Sequence, residues 1–243
     1  MELNLSKLTS RHASDPTPGP SPQREGSAVT GHIKNIIFDF GGVICDIDVN
    51  LTKKAFVELG WRTADQGRSI SDSKGLFEQL ETGVISPQQF RSELRKFFDR
   101  PVSDAQLDEA WNRLLLDIHP ERIRLLEDLR GTYRIFLLSN SNEIHYNKYV
   151  RDFRERFGYP DFDALFEKAY FSFRIGLKKP SPEIFEYVLK ESRLEPSETL
   201  FIDDTLMHVE GAAKAGILGY HLETEKGEQI LDLFQGANLK FNC

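Results

Sequence analysis

The run Asn35-Ile-Ile-Phe-Asp-Phe-Gly-Gly-Val-Ile44 constrains this chain more than any other stretch. Its apolar residues follow one another instead of alternating with polar ones. A strand of that kind is covered on both faces, as at the centre of a parallel sheet. One carboxylate, Asp39, interrupts the run. A charge in such a place is costly unless it is paired, protonated or bound to a cation. Gly41 and Gly42 come next, and glycines let a backbone turn sharply and approach a ligand closely. Open α/β sheets bind their ligands beyond the carboxyl ends of their strands. Asp39 is therefore a candidate site residue.

Around this strand, read as Lys34 to Phe40, the chain divides into three parts. Residues 1–31 include Asp15-Pro-Thr-Pro-Gly-Pro-Ser-Pro-Gln-Arg-Glu-Gly-Ser27, rich in Pro, Gly and Ser and without apolar periodicity. Such a segment cannot bury enough surface to offset its ordering entropy, and it reads as a disordered tail. Residues 47–118 carry helical stripes: Leu51, Ala55, Phe56 and Leu59; Phe90, Leu94 and Phe97 after Ser86-Pro87; Leu107, Ala110, Trp111 and Leu114 after Ser103. Ser at an N-cap and Pro at the first helical position mark two of the starts. The stripes read as core packing. From His119 the patterns alternate. The expected elements are helix 119–130, strand 133–140, helix 143–157, strand 169–173, helix 182–192, strand 199–204, helix 207–215 and strand 219–222. Such alternation implies a parallel sheet with right-handed crossovers. The expected fold is α/β: a Rossmann-like core from 32–46 and 119–243, with a small helical cap, 47–118, inserted after the first strand.

The 243 residues carry a net charge of −7 with acids and bases interspersed. No basic stripe suggests nucleic acid. No apolar run approaches the length of a membrane span, and the N-terminus lacks a signal-peptide pattern. The two cysteines, Cys45 and Cys243, have no metal-ligand spacing. The expected setting is the cytoplasm, with no membrane or nucleic-acid partner. The oligomeric state stays open.

Four polar features fall at strand ends or in the loops after them: Asp39, Ser139-Asn140, Lys179 and Asp203-Asp204. In a parallel sheet these ends share one edge. Carboxylates at neighbouring strand ends suit Mg²⁺, which one or two carboxylates hold together with waters and substrate phosphate. An ammonium and a hydroxyl beside them suit the remaining phosphate oxygens. An Asp can attack phosphorus, once its repulsion from a phosphate dianion is cancelled.

On these motifs the chain resembles the haloacid dehalogenase superfamily over residues 33 to 225. The resemblance implies Asp39 as nucleophile and Ser139 as the hydroxyl that contacts the phosphoryl group, with Asn140 beside it. It implies Lys179 rather than Lys178 as the motif lysine, since the family lysine directly precedes Pro. Asp203 and Asp204 match the metal-binding acidic pair, completed by Asp39 and the Gly41 carbonyl. Asn140, Gly42 and Asp46 are the substrate-binding candidates. The implied activity is Mg²⁺-dependent hydrolysis of a small phosphate monoester, a sugar phosphate by analogy with the branch carrying Asp-x-Gly-x-Val, through an aspartyl-phosphate. One departure is plain. Most phosphatases of the superfamily carry a second Asp, an acid/base, where this chain has Gly41. A phosphate-binding protein without turnover and a 2-haloacid dehalogenase remain the alternatives. Asp46 and Asp48 are the nearest carboxylates that could replace the acid, against a plainer role as helix caps.

Overall fold

A computed structural model describes residues 8–9, 32–61 and 74–240. Its first elements are β1 (Leu8–Thr9), β2 (Asn35–Phe38) and β3 (Cys45–Ile47). Helices α1 (Val49–Glu58), α2 (Lys74–Glu81), α3 (Pro87–Leu94) and α4 (Asp104–Asn112) follow, and β4 (Leu115–Ile118) closes the insertion. Then come α5 (Pro120–Leu129), β5 (Arg134–Ser139), α6 (Glu143–Phe157), β6 (Lys168–Phe171), α7 (Ser172–Ile175) and α8 (Pro182–Ser192). The last are β7 (Thr199–Asp203), α9 (Leu206–Lys214), β8 (Leu218–His221), β9 (Phe234–Gln235) and β10 (Asn238–Leu239).

The six-stranded sheet runs β1-β8-β7-β2-β5-β6. β2 pairs parallel with β5 on one side and β7 on the other. All four residues of β2 are buried, as its unbroken apolar run requires. Ile36 and Phe38 join one apolar cluster, with Leu126, Leu129 and Phe153 from α5 and α6. Ile37 joins the other, with Phe185, Val188 and Ala212 from α8 and α9. The strand is thus sandwiched between helical layers, and its carboxyl end opens onto the edge where β5 and β7 also finish.

A third cluster gathers Phe56, Trp61, Leu80, Phe90, Leu94, Phe98 and Leu107 from the inserted helices, together with Ile144 of α6. Ser86 and Ser103 both form reciprocal capping boxes, each with a glutamine three residues on. Two elements of this region are absent from the sequence reading. β3 and β4 pair antiparallel, Cys45 with Ile118 and Ile47 with Leu115. They carry the chain out to the helices and back.

Two other expectations shift. The strand expected at 169–173 ends at Phe171, and α7 follows. The Ser172 hydroxyl accepts from Ser141 N and donates to Ser141 O, which turns the chain where alternating aromatics suggest extension. Within the expected tail, Leu8 and Thr9 pair antiparallel with Tyr220 and Gly219. Strand pairing needs only main-chain groups, so it leaves no apolar pattern. The rest of that tail lies outside the described residues. No helix among the described residues is long and apolar enough to cross a membrane.

Gly211 of α9 lies so close to the loop after Lys179 that a Cβ there would stand 2.3 Å from the Pro180 carbonyl oxygen. Gly211→Ala should therefore lower stability by about 1–3 kcal/mol, the range for overpacking. Thermal melting checks this. Because the displaced loop carries Lys179, activity should fall together with stability.

Candidate active site

Lys179 forms the floor of the site. It is fully buried, with Nζ 2.7 Å from Asp39 Oδ1 and 2.6 Å from Asp203 Oδ2. Its main chain is gripped by Asn140, whose amide donates to the Lys179 carbonyl and accepts from the Lys179 N–H, both at 2.9 Å. Burial works against the ammonium, but Asp203 and Asp39 outweigh it and keep Lys179 charged. The neighbouring Lys178 points away from the floor, to Glu81 at 3.0 Å.

The carboxylates divide their labour. Asp203 is fully engaged: Oδ1 accepts from Thr205 N at 2.8 Å, and His208 Nδ1 lies 3.1 Å from both oxygens. Burial opposes its charge, yet Lys179 and His208 hold its pKa down at about 2. Asp39 is pushed up to about 7 by burial, with Asp203 and Asp204 adding to the rise and Lys179 countering it. Burial, then Asp203, raises Asp204. Asp204 is seated by close approach to Gly42, whose φ is +77°. A Cβ at that glycine would meet Asp204 Oδ2 at 2.0 Å. So Gly42 acts through its missing side chain.

Above this floor lies a cavity of about 430 Å³. Asp39, Gly41, Ser139, Asn140, Lys179 and Asp204 all line it, which brings together residues from the ends of three strands. Gly42 and Asp46 border a different cleft, which Asp204 shares. Asp46 is held by Arg122 at 2.6 Å and by His119 at 2.9 Å. It is not among the residues lining the cavity above Lys179. Asp48 caps α1 by accepting from Asn50 N. At the place of the absent second Asp, a Cβ on Gly41 would sit 3.3 Å from the Ile47 δ-carbon, a contact that the Ile47 side chain would have to shift slightly to relieve.

The opposite wall comes from residues that sequence reasoning assigned to packing or did not single out. Phe56, Phe77 and Trp111 line the cavity from the inserted helices, Trp61 from the segment just after α1, and His145 and Tyr149 from α6. Trp111 Nε1 donates to Asn142 Oδ1 at 3.4 Å, and Asn112 Oδ1 meets His145 Nδ1 at 2.8 Å. Burial depresses His145 to about 3, so it stays neutral. His208 could have been found from its place in the first turn of the helix that follows Asp203-Asp204.

Oxygens of Asp39, Asp203 and Asp204 all lie within 4.8 Å of one another. Three carboxylates facing one ammonium leave an excess of negative charge, and oxygen-only donors suit a hard divalent cation. The donor set thus fits Mg²⁺, with Asp39 and Asp204 holding open coordination sites and Asp203 already saturated by its neighbours.

A charged floor beneath a cavity of this size suits the binding of a small anionic ligand. The chain belongs to the haloacid dehalogenase-like hydrolases, whose family model matches residues 33–216. A D-ribitol-5-phosphate phosphatase of Bacteroides thetaiotaomicron is 37% identical over 172 residues, 71% of this chain and 83% of that protein. A sesquiterpene phosphatase of Aspergillus oryzae is 27% identical over 190 residues, 78% of this chain and 89% of the other. A B. thetaiotaomicron enzyme of the family, solved with magnesium and inorganic phosphate, superposes with a TM-score of 0.74 at 35% identity, covering 84% of this chain and 100% of that one. Solved 2-haloacid dehalogenases, such as that of Pseudomonas syringae at 20% identity and TM-score 0.51, share the fold alone.

The raised pKa of Asp39 has a measurable sign. Between the ordinary value of 3.8 and about 7, the folded state holds a proton that the unfolded state has lost. Its stability therefore falls as pH rises through that window. In metal-free protein, Asp39→Asn should gain melting temperature relative to wild type as pH goes from 4 to 7. Added Mg²⁺ should raise the wild-type melting temperature at pH 7 and leave the variant nearly unmoved.

Proposed function

We propose that this chain hydrolyses the phosphate monoester of a small polyol or sugar, with Asp39 as the nucleophile. The observation that carries the reading is the buried Lys179 joined to Asp39 and Asp203 at the base of the cavity. The name of the D-ribitol-5-phosphate phosphatase supports the polyol. Mg²⁺ held by Asp39, Asp204 and the Gly41 carbonyl supplies the countercharge that lets a carboxylate approach a phosphate dianion. A cytoplasmic setting and a small-molecule partner go with this reading.

The residues then divide the work. Lys179 and Ser139 hold phosphoryl oxygens and fix the phosphorus against Asp39. The free carboxylate oxygen of Asp39 attacks phosphorus, an O–P bond forms, and the ester O–P bond breaks. The departing alkoxide takes a proton from cavity water, since Gly41 offers no acid and Asp46 is committed to Arg122 and His119. Water then attacks the aspartyl-phosphate, releasing inorganic phosphate and restoring the carboxylate. Asn140 serves by holding the Lys179 main chain in place. The helices of 47–118 act as a cap whose closure excludes bulk water.

Asp39→Asn should lower kcat by more than about 10³, because an amide is a poor nucleophile. Colorimetric phosphate release from ribitol 5-phosphate measures it, and retained turnover would defeat the assignment. EDTA should abolish activity and Mg²⁺ restore it. The absent acid gives a separate check. General acid catalysis is typically worth about 10² to 10⁴ in rate. Gly41→Asp should therefore accelerate hydrolysis of alkyl phosphates once Ile47→Ala makes room for the new side chain.

A further inference from the structure

Besides the β3–β4 ribbon and the contacts of Trp111 and Asn112 with α6, the inserted helices meet the core at the C-terminal end of α2. Glu78 and Glu81 are three residues apart and share one face of that helix. The Lys178 ammonium lies 3.0 Å from Glu81 Oε2 and 3.6 Å from Glu78 Oε1. The Lys178 and Glu81 side chains are 28% and 29% exposed, so solvent screens their attraction only in part. Gly83, in the turn that ends α2, has a φ of +68°, and a Cβ there would meet the Phe173 carbonyl oxygen at 2.2 Å. A glycine lets the two backbones come that close.

The core side of this contact is fixed. Lys178 O accepts from Ser181 N at 3.1 Å, and the peptide groups of the next residue, Lys179, are held by Asn140. The two lysines of this loop therefore serve opposite directions: Lys179 reaches Asp39 and Asp203, and Lys178 reaches α2. The inserted side borders the ligand space, since Phe77 and Glu81 of α2 both line the cavity. One ion-pair group thus joins a wall of the cavity to the loop that supplies its floor.

We propose that Lys178 is a positioning residue: by pairing with Glu81 and Glu78 it holds the inserted helices closed over the phosphate floor. This rests on the phosphatase reading above and deepens it. A lid completes a site by excluding water, and this pair is what keeps the lid shut. A partly exposed ion pair is also weak enough to break for substrate entry and product release.

The test breaks the pair from each side, with Lys178→Met and with the double variant Glu78→Gln/Glu81→Gln. Both tryptophans of the chain, Trp61 and Trp111, lie in the inserted region and line the cavity, so acrylamide quenching of their fluorescence reads opening without any substrate. Each variant should be quenched more strongly than wild type and should raise KM for ribitol 5-phosphate by up to about fivefold, the upper worth of a partly exposed pair. Combining them should add nothing further, Lys178→Arg should behave as wild type, and high salt should move wild type toward the variants. Plain attraction of the anionic substrate predicts something else: losing the cation would raise KM, and losing the two carboxylates would lower it. KM shifts of opposite sign therefore overturn the proposal, as does quenching unchanged in both variants, whatever happens to their melting temperatures. Should wild type release no phosphate from ribitol 5-phosphate, that substrate reading fails, and quenching alone decides the role of Lys178: equal quenching in wild type and both variants overturns it.

Discussion

An ammonium group with no exposed surface can exist only where opposite charge meets it directly. Lys179 meets that condition twice, at Asp39 and at Asp203. Desolvating the three groups separately would be prohibitive, and removing one partner from a buried pair commonly costs several kcal/mol. The ends of β2 and β7 and the loop before α8 are therefore tied to one point. Asn140, at the end of β5, secures the fourth approach by treating the Lys179 peptide groups as a strand neighbour would. Much of the surrounding local geometry follows from that junction, including the close passage of Gly211 beneath Pro180 and of Gly42 beside Asp204.

The same junction separates the fates of three neighbouring carboxylates. Asp203 faces Lys179, His208 and a backbone N–H, and it is a fixed anion whose oxygens are spent on the fold. Asp39 shares the lysine but has few other donors, so burial dominates its proton affinity. Asp204 sits nearer the cavity and accepts only a long contact from Thr205 Oγ1. One acid is structural, and two keep unspent oxygens toward the ligand space.

Much of this was legible in sequence because it rests on local signals. A charge at the end of a doubly buried strand marks Asp39 and the Asp203-Asp204 pair without further information. Helix α6 is bounded in the structure as its pattern suggests, since Asn142 caps its start and Gly158, with φ of 75°, closes its end. What escaped depends on partners far away in the chain. The link from Asp46 to Arg122 spans 76 residues, and nothing near Asp46 announces it. Trp111 and Phe56 have the spacing of core residues, and spacing cannot distinguish a ring packed on protein from one packed beside a cavity. Ribbon β3–β4 is too short to leave a periodic trace. The Leu8–Thr9 strand is held by main-chain pairing, which composition does not report.

That ribbon has a bearing on how such a molecule can be rearranged. Asp48 N donates to Leu114 O at 2.9 Å, so the chain leaves and re-enters the core at adjacent points. Antiparallel strands so placed can be joined by a two-residue hairpin. Everything between them is topologically an excursion, and its length has little entropic consequence for the sheet below. Helical excursions of different length and lining could thus be joined at this point without rethreading a strand of the sheet. Excising the excursion would leave β2, β5 and β7 in register, with their charged floor open to bulk water.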